Sequence, residues 1–226
     1  MKNMVKTLIG LLLIILTLSI FFGCATPYGT VMKSYQEASI CCESIKDFRF
    51  ENIAIGDSES FNLNERSPAY LFDTGKSFFR AFVLPQSSYP YQVSIRSYML
   101  GQDIKSRYIF YPKVVTLNKD FEVVRSTDPR SFQLQRAGFI ETAKETFGFM
   151  YKIEGRISFT EENKAEKYLI ILTTDELLRA KTPLSRWRFV PIIMPGVVGA
   201  VPTVKEEVLV RHSPLGRINI SVLGQD

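Results

Sequence analysis

Alternating apolar and polar side chains between residues 76 and 125 restrict the fold of this chain more than any other feature of its sequence. A period of two places successive side chains on opposite faces of a β-strand. Residues 91–99 follow this pattern from Tyr91 to Met99. The strands predicted here are 77–84, 91–99, 108–117 and 121–125, with a hairpin connection at 85–90 and a turn at 118–120. Pro112 limits the third strand to an edge or a bulge. The pattern predicts an antiparallel meander with one buried face.

The segments on either side of this region extend the β pattern. Residues 149–159 alternate cleanly, and the unbroken apolar run at 168–172 is typical of a strand buried on both faces. Thr174, followed by two acidic residues, is an N-cap for one short helix ending at Ala180. Residues 127–146 fit either a short amphipathic helix or an extended chain. We also predict a first strand within 47–55, a polar loop at 56–66, a turn at 73–76, and a terminal hairpin of 207–211 with 217–223.

These elements predict an all-β fold. Few helices and regularly spaced turn signals are typical of an antiparallel β-sandwich of about eight or nine strands with one or two short helices.

The first 24 residues have the pattern of a bacterial lipoprotein signal. Two lysines precede an apolar run at 8–22, and Gly23 precedes Cys24. The run is shorter than the roughly 20 residues that a spanning helix needs. We therefore expect cleavage before Cys24 and acylation of that cysteine, including palmitate. An uncleaved amino-terminal anchor and an ordinary secretory signal are the alternatives. Ala25, in place of an Asp, indicates the outer membrane, with the domain facing the periplasm.

The sequence divides into a signal peptide at 1–23, a tether at 24–38 and one β-sandwich domain at 39–226. Pro27 and Gly29 indicate the tether, which includes a short helical turn near 31–37. Loss of the two signal lysines lowers the formal net charge from +5 to +3. The remaining basic residues are dispersed, which argues against nucleic acid as a partner.

Two neighbouring cysteines remain once Cys24 is assigned to lipid. An oxidising periplasm would act on Cys41 and Cys42, but a bridge between neighbours is strained, because consecutive Cα atoms lie about 3.8 Å apart and disulfides usually need roughly 4.4 to 6.8 Å. Three interpretations stay open: a vicinal disulfide with a redox or conformational role, a structural vicinal disulfide, and two packed thiols. Since the chain has no Cys-x-x-Cys or Cys/His ligand spacing, we predict no metal site and no cofactor.

Two short motifs resemble those of hydrolases without the partners that catalysis needs. Ser58, in Gly-Asp-Ser, resembles an esterase nucleophile, which requires a histidine base. The single histidine, His212, lacks the neighbouring Asp of such enzymes and is expected at the surface. Asp73, in Asp-Thr-Gly, resembles an aspartic protease carboxylate, which needs a second copy, and Gly75-Lys76-Ser77 resembles half a phosphate loop. We predict no catalytic residue.

The apolar segment 189–204 contains three prolines and two glycines, which excludes a spanning helix. We expect it to cover the domain; dipping into a bilayer surface and binding a partner are the alternatives. If the ligand is a sugar, the candidates for ring stacking are Trp187, between two arginines, and Tyr89, in the predicted hairpin loop. Core or edge packing is the other interpretation of both rings.

Four blocks of the sequence carry a family resemblance. They are Cys41-Cys42, residues 72–85 with Gly-Lys-Ser-Phe-Phe, residues 112–117, and residues 212–217, which read His-Ser-Pro-Leu-Gly-Arg. Together they resemble the maltose operon periplasmic protein family, MalM. The resemblance implies an envelope protein linked to maltodextrin uptake, in a family that offers no catalytic residue to carry over. The chain looks shorter than typical members and has a lipoprotein-like signal.

The sequence therefore predicts a non-enzymatic outer-membrane lipoprotein that is accessory to carbohydrate transport or to surface glycan handling. Its partners would be the membrane, through the lipid, and an oligosaccharide. The first alternative is a structural or assembly module that binds another envelope protein. The second, and least favoured, is a lipid-anchored hydrolase.

Overall fold

The computed structural model describes residues 27–86, 89–101, 106–138, 151–194 and 197–224, with the backbone alone for 186–194 and 197–205. The helices are α1 (Tyr28–Glu37) and α2 (Asp175–Arg179). The strands are β1 (Phe50–Asn52), β2 (Ser58–Leu63), β3 (Ala69–Phe72), β4 (Gly75–Phe78), β5 (Arg80–Val83), β6 (Tyr91–Tyr98), β7 (Tyr108–Phe110), β8 (Lys113–Leu117), β9 (Val123–Ser126), β10 (Gln133–Arg136), β11 (Tyr151–Phe159), β12 (Tyr168–Leu172), β13 (Lys181–Met194), β14 (Val197–Ser213) and β15 (Gly216–Gly224).

Two five-stranded sheets form the body of the fold. The front sheet has the order β1-β5-β12-β8-β9, and the back sheet has the order β10-β11-β6-β15-β2. All pairs are antiparallel except β1 with β5 in the front sheet. This arrangement confirms the predicted all-β sandwich, although the described residues form more strands than expected.

The main hydrophobic core lies between the two sheets. Its members come from alternate positions of the strands, as a period of two requires. The front sheet contributes Phe82, Val114, Leu169 and Ile171, and the back sheet contributes Tyr91, Val93, Ile95, Ile153, Phe159, Ile218, Ile220 and Val222. Strand β12 is central in its sheet, and Leu169 to Leu172 are all at most 1% exposed. The prediction of a strand buried on both faces is therefore confirmed.

A second, smaller core covers the outer face of the front sheet. Phe79, Ala81, Leu117, Ile170 and Leu172 point to this side, where Phe48 packs on them. Phe48 follows a short 3₁₀ helix at Ile45–Asp47, and its ring stacks on Phe79 with centroids 4.0 Å apart. The β3–β4 hairpin adds Tyr70 and Phe72 to the same cluster. These aromatic side chains form one side of the candidate site described below.

Helix α1 packs on the domain rather than serving as a free tether. Its Val31 and Tyr35 are buried in the main core, and the Tyr28 hydroxyl donates to the carbonyl oxygen of His212 at 3.0 Å. The Tyr35 hydroxyl donates to the Lys76 carbonyl oxygen, and burial together with the Asp175 carboxylate raises the pKa of Tyr35 to about 12. The predicted tether at 24–38 is thus corrected, because residues 28–37 belong to the folded body.

Strands β13 and β14 form a long hairpin that was not foreseen from the sequence. They pair from Lys181 with Arg211 to Met194 with Val197, with a bulge between Arg188 and Phe189. The sequence interpretation used the prolines of 189–204 only to exclude a spanning helix and predicted no strand there. Both strands are edges for most of their length, however, and a proline is tolerated where its missing N–H faces away from the partner strand.

Several predicted connections were wrong, because neighbours in sequence lie in different sheets. Strand β5 belongs to the front sheet and β6 to the back sheet, so residues 77–99 do not form a hairpin. The predicted terminal hairpin is likewise absent among the described strands, since β14 pairs with β13 and β7 whereas β15 pairs with β6 and β2. Two other segments contain strands that were not specifically predicted. The predicted loop at 56–66 contains β2, and the segment 127–146, predicted as either a short helix or an extended chain, includes β10.

Other predictions were confirmed. Strands β8 and β9 form the hairpin expected around 118–120, and β3 and β4 enclose the turn expected at 73–76. The Thr174 hydroxyl accepts from the Leu177 amide at 3.2 Å and caps α2 as predicted. In the described part of the chain, no helix has the length and apolar character needed to cross a membrane.

Candidate binding cleft

The floor of the cleft is the outer face of the front sheet. Val115 and Leu117 of β8 and Ile170 and Leu172 of β12 all line it. Ile170 lies directly opposite Val115, and Leu172 lies opposite Lys113. Cross-strand neighbours on one face have Cβ atoms about 5 Å apart, so these side chains form a continuous apolar surface.

One wall consists of β3 and the 3₁₀ segment before β1. Ile45, Tyr70 and Phe72 line the cleft from this side. The Tyr70 ring lies edge-on to Phe72 and to Phe48, with centroid distances of 4.9 and 5.0 Å. Edge-to-face contacts of this kind hold rings in place, so the wall is preorganised. Leu71 and Val123 also line the cleft and are 60% and 61% exposed, which makes its mouth apolar as well.

Apart from the Tyr70 hydroxyl in the wall, the polar side chains that line the cleft lie at its rim. Asp73 and Thr74 come from the β3–β4 turn, Lys113 begins β8, and Ser126 ends β9. The turn is held to α2, because the Thr74 carbonyl accepts from the Asp175 amide at 3.0 Å. The rim therefore offers a carboxylate, an ammonium group and two hydroxyl groups around an apolar floor.

The cleft has a volume of about 240 Å³. Sites for drug-sized ligands usually enclose about 300 to 1,000 Å³. A cleft of the observed size is suited to one small apolar face of a larger ligand, with the remainder of the ligand lying across the rim.

A comparison of the chain with models of protein families found a match. The family model described as "Maltose operon periplasmic protein precursor (MalM)" matches residues 74–222, about two-thirds of the chain. The chain belongs to the MalM family. This confirms the resemblance seen in the sequence and makes the chain a periplasmic protein related to the maltose system. Comparisons with curated proteins and with solved structures found no match.

The MalM match includes most of the cleft but not its aromatic wall. Thr74 and the floor residues of β8 and β12 lie inside the matched range, whereas Ile45, Tyr70 and Asp73 precede it. The Cys41-Cys42 pair also lies outside the match.

The cysteines lie beside this wall. Cys41 and Cys42 are joined by a disulfide in the structure, and the Cys41 amide donates to the Ala69 carbonyl at 2.8 Å. Cys42 packs against the second core. The pair therefore connects the amino-terminal segment to β3. The predicted lipid site, Cys24, lies outside the described residues.

Of the two predicted stacking residues, Tyr89 does not line the cleft. Tyr89 is partly buried, with its ring centroid 5.3 Å from that of Tyr91, and it borders a separate open depression near Glu161 and Glu162. Trp187 lies in β13 opposite Lys205, where the description is limited to the backbone. Both residues stay predictions as ligand contacts.

The residues of the hydrolase-like motifs are held apart. Ser58 pairs with Ser221 on β15, and its hydroxyl accepts from the Asn219 side chain at 3.2 Å. His212 precedes the opposite end of β15, and the five residue steps from Gly216 to Ser221 extend about 17 Å. Asp73 is an exposed turn residue. Among the described residues, no group of three His, Cys, Asp or Glu is placed to hold a metal ion.

His212 is buried rather than at the surface, which corrects the prediction from sequence. It is 3% exposed; its Nδ1 lies 2.7 Å from the Leu177 carbonyl oxygen and its Nε2 lies 2.8 Å from the Thr182 hydroxyl. Burial lowers the pKa of His212, and the hydrogen bond to Leu177 offsets this in part. The neutral ring with hydrogen on Nδ1 fits both contacts, since Nε2 then accepts from Thr182.

Sequence reasoning did not find the cleft residues as a set. Tyr70, Lys113 and Ser126 are far apart in the sequence and meet only because β3, β8 and β9 converge. The available signal was the alternation at 113–117, which leaves Lys113, Val115 and Leu117 on the face away from the main core.

Proposed function

We propose that this MalM family member is a non-enzymatic envelope lipoprotein that binds a maltodextrin-type oligosaccharide in the cleft and is accessory to carbohydrate uptake. The observation that carries this proposal is the preorganised aromatic wall above an apolar floor with a polar rim. Membership of a maltose operon family supports the choice of ligand class.

The chemistry of the cleft suits a sugar ring. A pyranose has apolar C–H faces and hydroxyl groups around its edge, and apolar or aromatic surfaces bind the former while polar groups bind the latter. Tyr70, Phe72 and Val115 would contact the face of the ring. Asp73, Lys113 and Ser126 would exchange hydrogen bonds with the hydroxyl groups. A longer chain would extend past the exposed Leu71 and Val123.

A non-enzymatic role is supported by the positions of the nucleophile-like residues. Ser58 is engaged with Asn219, and His212 donates to a backbone carbonyl well away from it. A general base must reach the proton that it removes, within about 3 Å. The cleft itself holds one carboxylate, Asp73, which is suited to binding hydroxyl groups.

Anchoring in the outer membrane through Cys24, facing the periplasm, completes the proposal. The basic start, apolar run and Gly23-Cys24 pair support it. Mass spectrometry of the amino-terminal peptide from membranes is expected to find an acylated Cys24. The full chain with Cys24→Ser is expected to lose acylation, and an unmodified cysteine in the native peptide would contradict anchoring.

Titration calorimetry tests the ligand. Residues 25–226 contain every described core residue, because both clusters lie between Val31 and Val222. We expect saturable binding of maltodextrins that is weakened about tenfold or more by Lys113→Ala, since a hydrogen bond to a charged group contributes about 1.5 to 3 kcal/mol. Lys119→Ala, at the exposed β8–β9 turn, is the matched control and is expected to bind normally. Absence of heat with every glucan tested would reject the proposal.

A further inference from the structure

The outer part of the β13–β14 hairpin has a composition unlike the rest of the surface. Residues 189–204 contain no charged side chain, and they include the paired tip residues Ile193 and Val198. Two-stranded hairpins are marginally stable in water without further packing. A charge-free apolar hairpin is therefore expected to contact another apolar phase.

The pairing pattern argues against a protein strand as that partner. Among the described strands, β14 meets a third strand only at Arg211 to Ser213, where β7 joins it. Further out, Pro191 and Pro202 lie one on each strand. A proline has no N–H to donate, and prolines on edge strands block the addition of another strand.

The charges next to the hairpin tip favour an anionic surface. Arg188 and Lys205 are the charged residues closest to the charge-free part, and Glu206 and Glu207 lie further inward. Trp187, opposite Lys205, is at the same level. Basic side chains beside an apolar segment bind anionic headgroups, and tryptophan is enriched at the boundary between water and lipid.

The position of the amino terminus is compatible with the same membrane. Tyr28 lies against the inner end of β14, because the Arg211 guanidinium is 5.1 Å from its ring centroid. The four residue steps from Cys24 to Tyr28 can extend about 14 Å, and the six steps from Lys205 to Arg211 about 20 Å. A hairpin lying obliquely to the surface would therefore let both the lipid and the hairpin tip reach one leaflet.

We propose that the outer β13–β14 hairpin docks on a phospholipid surface that contains anionic headgroups. The apolar residues enter the interfacial region while Arg188 and Lys205 remain at the headgroups. The hairpin does not cross the hydrocarbon, since its unpaired edge N–H and C=O groups would lack partners there. This site is separate from the sugar cleft and does not depend on it.

Vesicle flotation with residues 25–226, which lack the signal and Cys24, tests the site. Vesicles of phosphatidylethanolamine and phosphatidylglycerol are expected to carry the protein, with a blue shift of the emission of Trp187, the single tryptophan. Ile193→Ser with Val198→Ser is expected to weaken partitioning by about tenfold or more, because two apolar side chains that would enter the lipid interface are removed. Arg188→Gln with Lys205→Gln should weaken it about fivefold per charge, and only where phosphatidylglycerol is present.

Leu209→Ser is the matched control, because this residue lies on the same strand at the inner end and is 56% exposed. It is expected to leave partitioning unchanged, and circular dichroism checks that each variant is folded. Equal partitioning of the tip variant and the unchanged protein would overturn the proposal, as would failure of the folded protein to bind at low salt. Capture of an envelope protein by the hairpin without vesicle binding would also overturn it. Sugar binding in the cleft would be unaffected by any of these outcomes.

Discussion

The imidazole Nδ1 of His212 lies 2.7 Å from the carbonyl oxygen of Leu177 and links the inner end of the β13–β14 hairpin to helix α2. The same ring accepts from Thr182 and lies 4.6 Å from the Tyr111 ring, between centroids. A single buried residue thus joins β14, α2, β13 and the segment after β7.

The first prediction concerns pH. Because burial lowers the pKa of His212, the folded state favours the neutral ring more than the unfolded chain does. The stabilisation is therefore present above the unfolded pKa of about 6.5 and is lost as the pH falls below it. Urea unfolding of the unchanged protein at pH 7.5 and pH 5.5 is expected to show lower stability at the lower pH.

The control for this prediction is His212→Asn, whose side-chain amide can still donate to Leu177 but does not titrate in this range. The variant is expected to lose most of the pH dependence between these two values. An unchanged pH dependence in the variant would assign it to other groups.

The second prediction concerns the Asp-Thr-Gly turn. Gly75 has φ +110°, and a Cβ added there would collide with the Asp175 carboxylate. The carboxylate can rotate away, but the backbone conformation remains strained for any residue with a side chain. Gly75→Ala is expected to lower the free energy of unfolding by about 1 to 3 kcal/mol.

Gly29→Ala is the matched control, since Gly29 lies in α1 with nothing within 4 Å of an added Cβ. Alanine favours helices, so this variant is expected to gain up to about 1 kcal/mol. Chemical denaturation measures both values, and equal stability of the two variants would contradict the account of this turn.

The third prediction concerns a buried carboxylate on the back sheet. Glu154 is 7% exposed, and its oxygens lie 2.8 Å from Lys152 Nζ and 3.4 Å from both Arg96 Nε and Arg156 Nη2. Burial raises the pKa of Glu154, but the hydrogen bond from Lys152 and these cations outweigh it and lower the pKa overall. Its stabilisation is present above the unfolded pKa and is lost as the pH falls through the lower folded value.

Glu154→Gln leaves the buried Lys152 ammonium without its counterion, and we expect a loss of about 3 kcal/mol or more. Glu37→Gln breaks the exposed pair with Lys33, at 3.9 Å, and is expected to change stability by less than about 0.5 kcal/mol. Urea unfolding at neutral pH compares the two variants. Similar losses in both would show that burial does not strengthen the Glu154 cluster.

The fourth prediction concerns the neighbouring cysteines. The disulfide between Cys41 and Cys42 closes a loop of two residues, so it constrains the unfolded chain little. Replacement of both by serine is expected to lower the free energy of unfolding by only about 1 kcal/mol. Thermal unfolding measures this difference, and complete loss of folding in the variant would instead make the bond essential to the domain.

The sequence predicted features that depend on residues close together in the chain better than features that depend on distant residues. Local signals were sufficient for the cap at Thr174, the β8–β9 turn and the buried strand β12. Pairing partners were not predictable locally, because β5 and β6 are consecutive but belong to opposite sheets. The amino-acid pattern of the loop at 85–90 does not distinguish a connection within one sheet from a connection between two sheets.

The candidate site was less predictable than the fold. His212 stands between Arg211 and Ser213, so its local sequence does not reveal that it is buried, and its partners Leu177 and Thr182 are 35 and 30 residues away. Of the aromatic wall, only Phe72 belongs to a block that the sequence analysis singled out, residues 72–85. The contacts of the wall with Phe48 and with the floor formed by β8 and β12 required the structure.

Methyl NMR of residues 25–226 during titration with a maltodextrin tests the central claim most directly, because it locates the ligand. We expect saturable shifts of the methyl groups of Val115, Val123 and Ile170, which line the cleft. Val93 and Ile220, which the back sheet contributes to the main core, are expected to remain unchanged. Shifts confined to residues outside the cleft, or no shift at saturating sugar, would contradict the assignment of the cleft as the binding site.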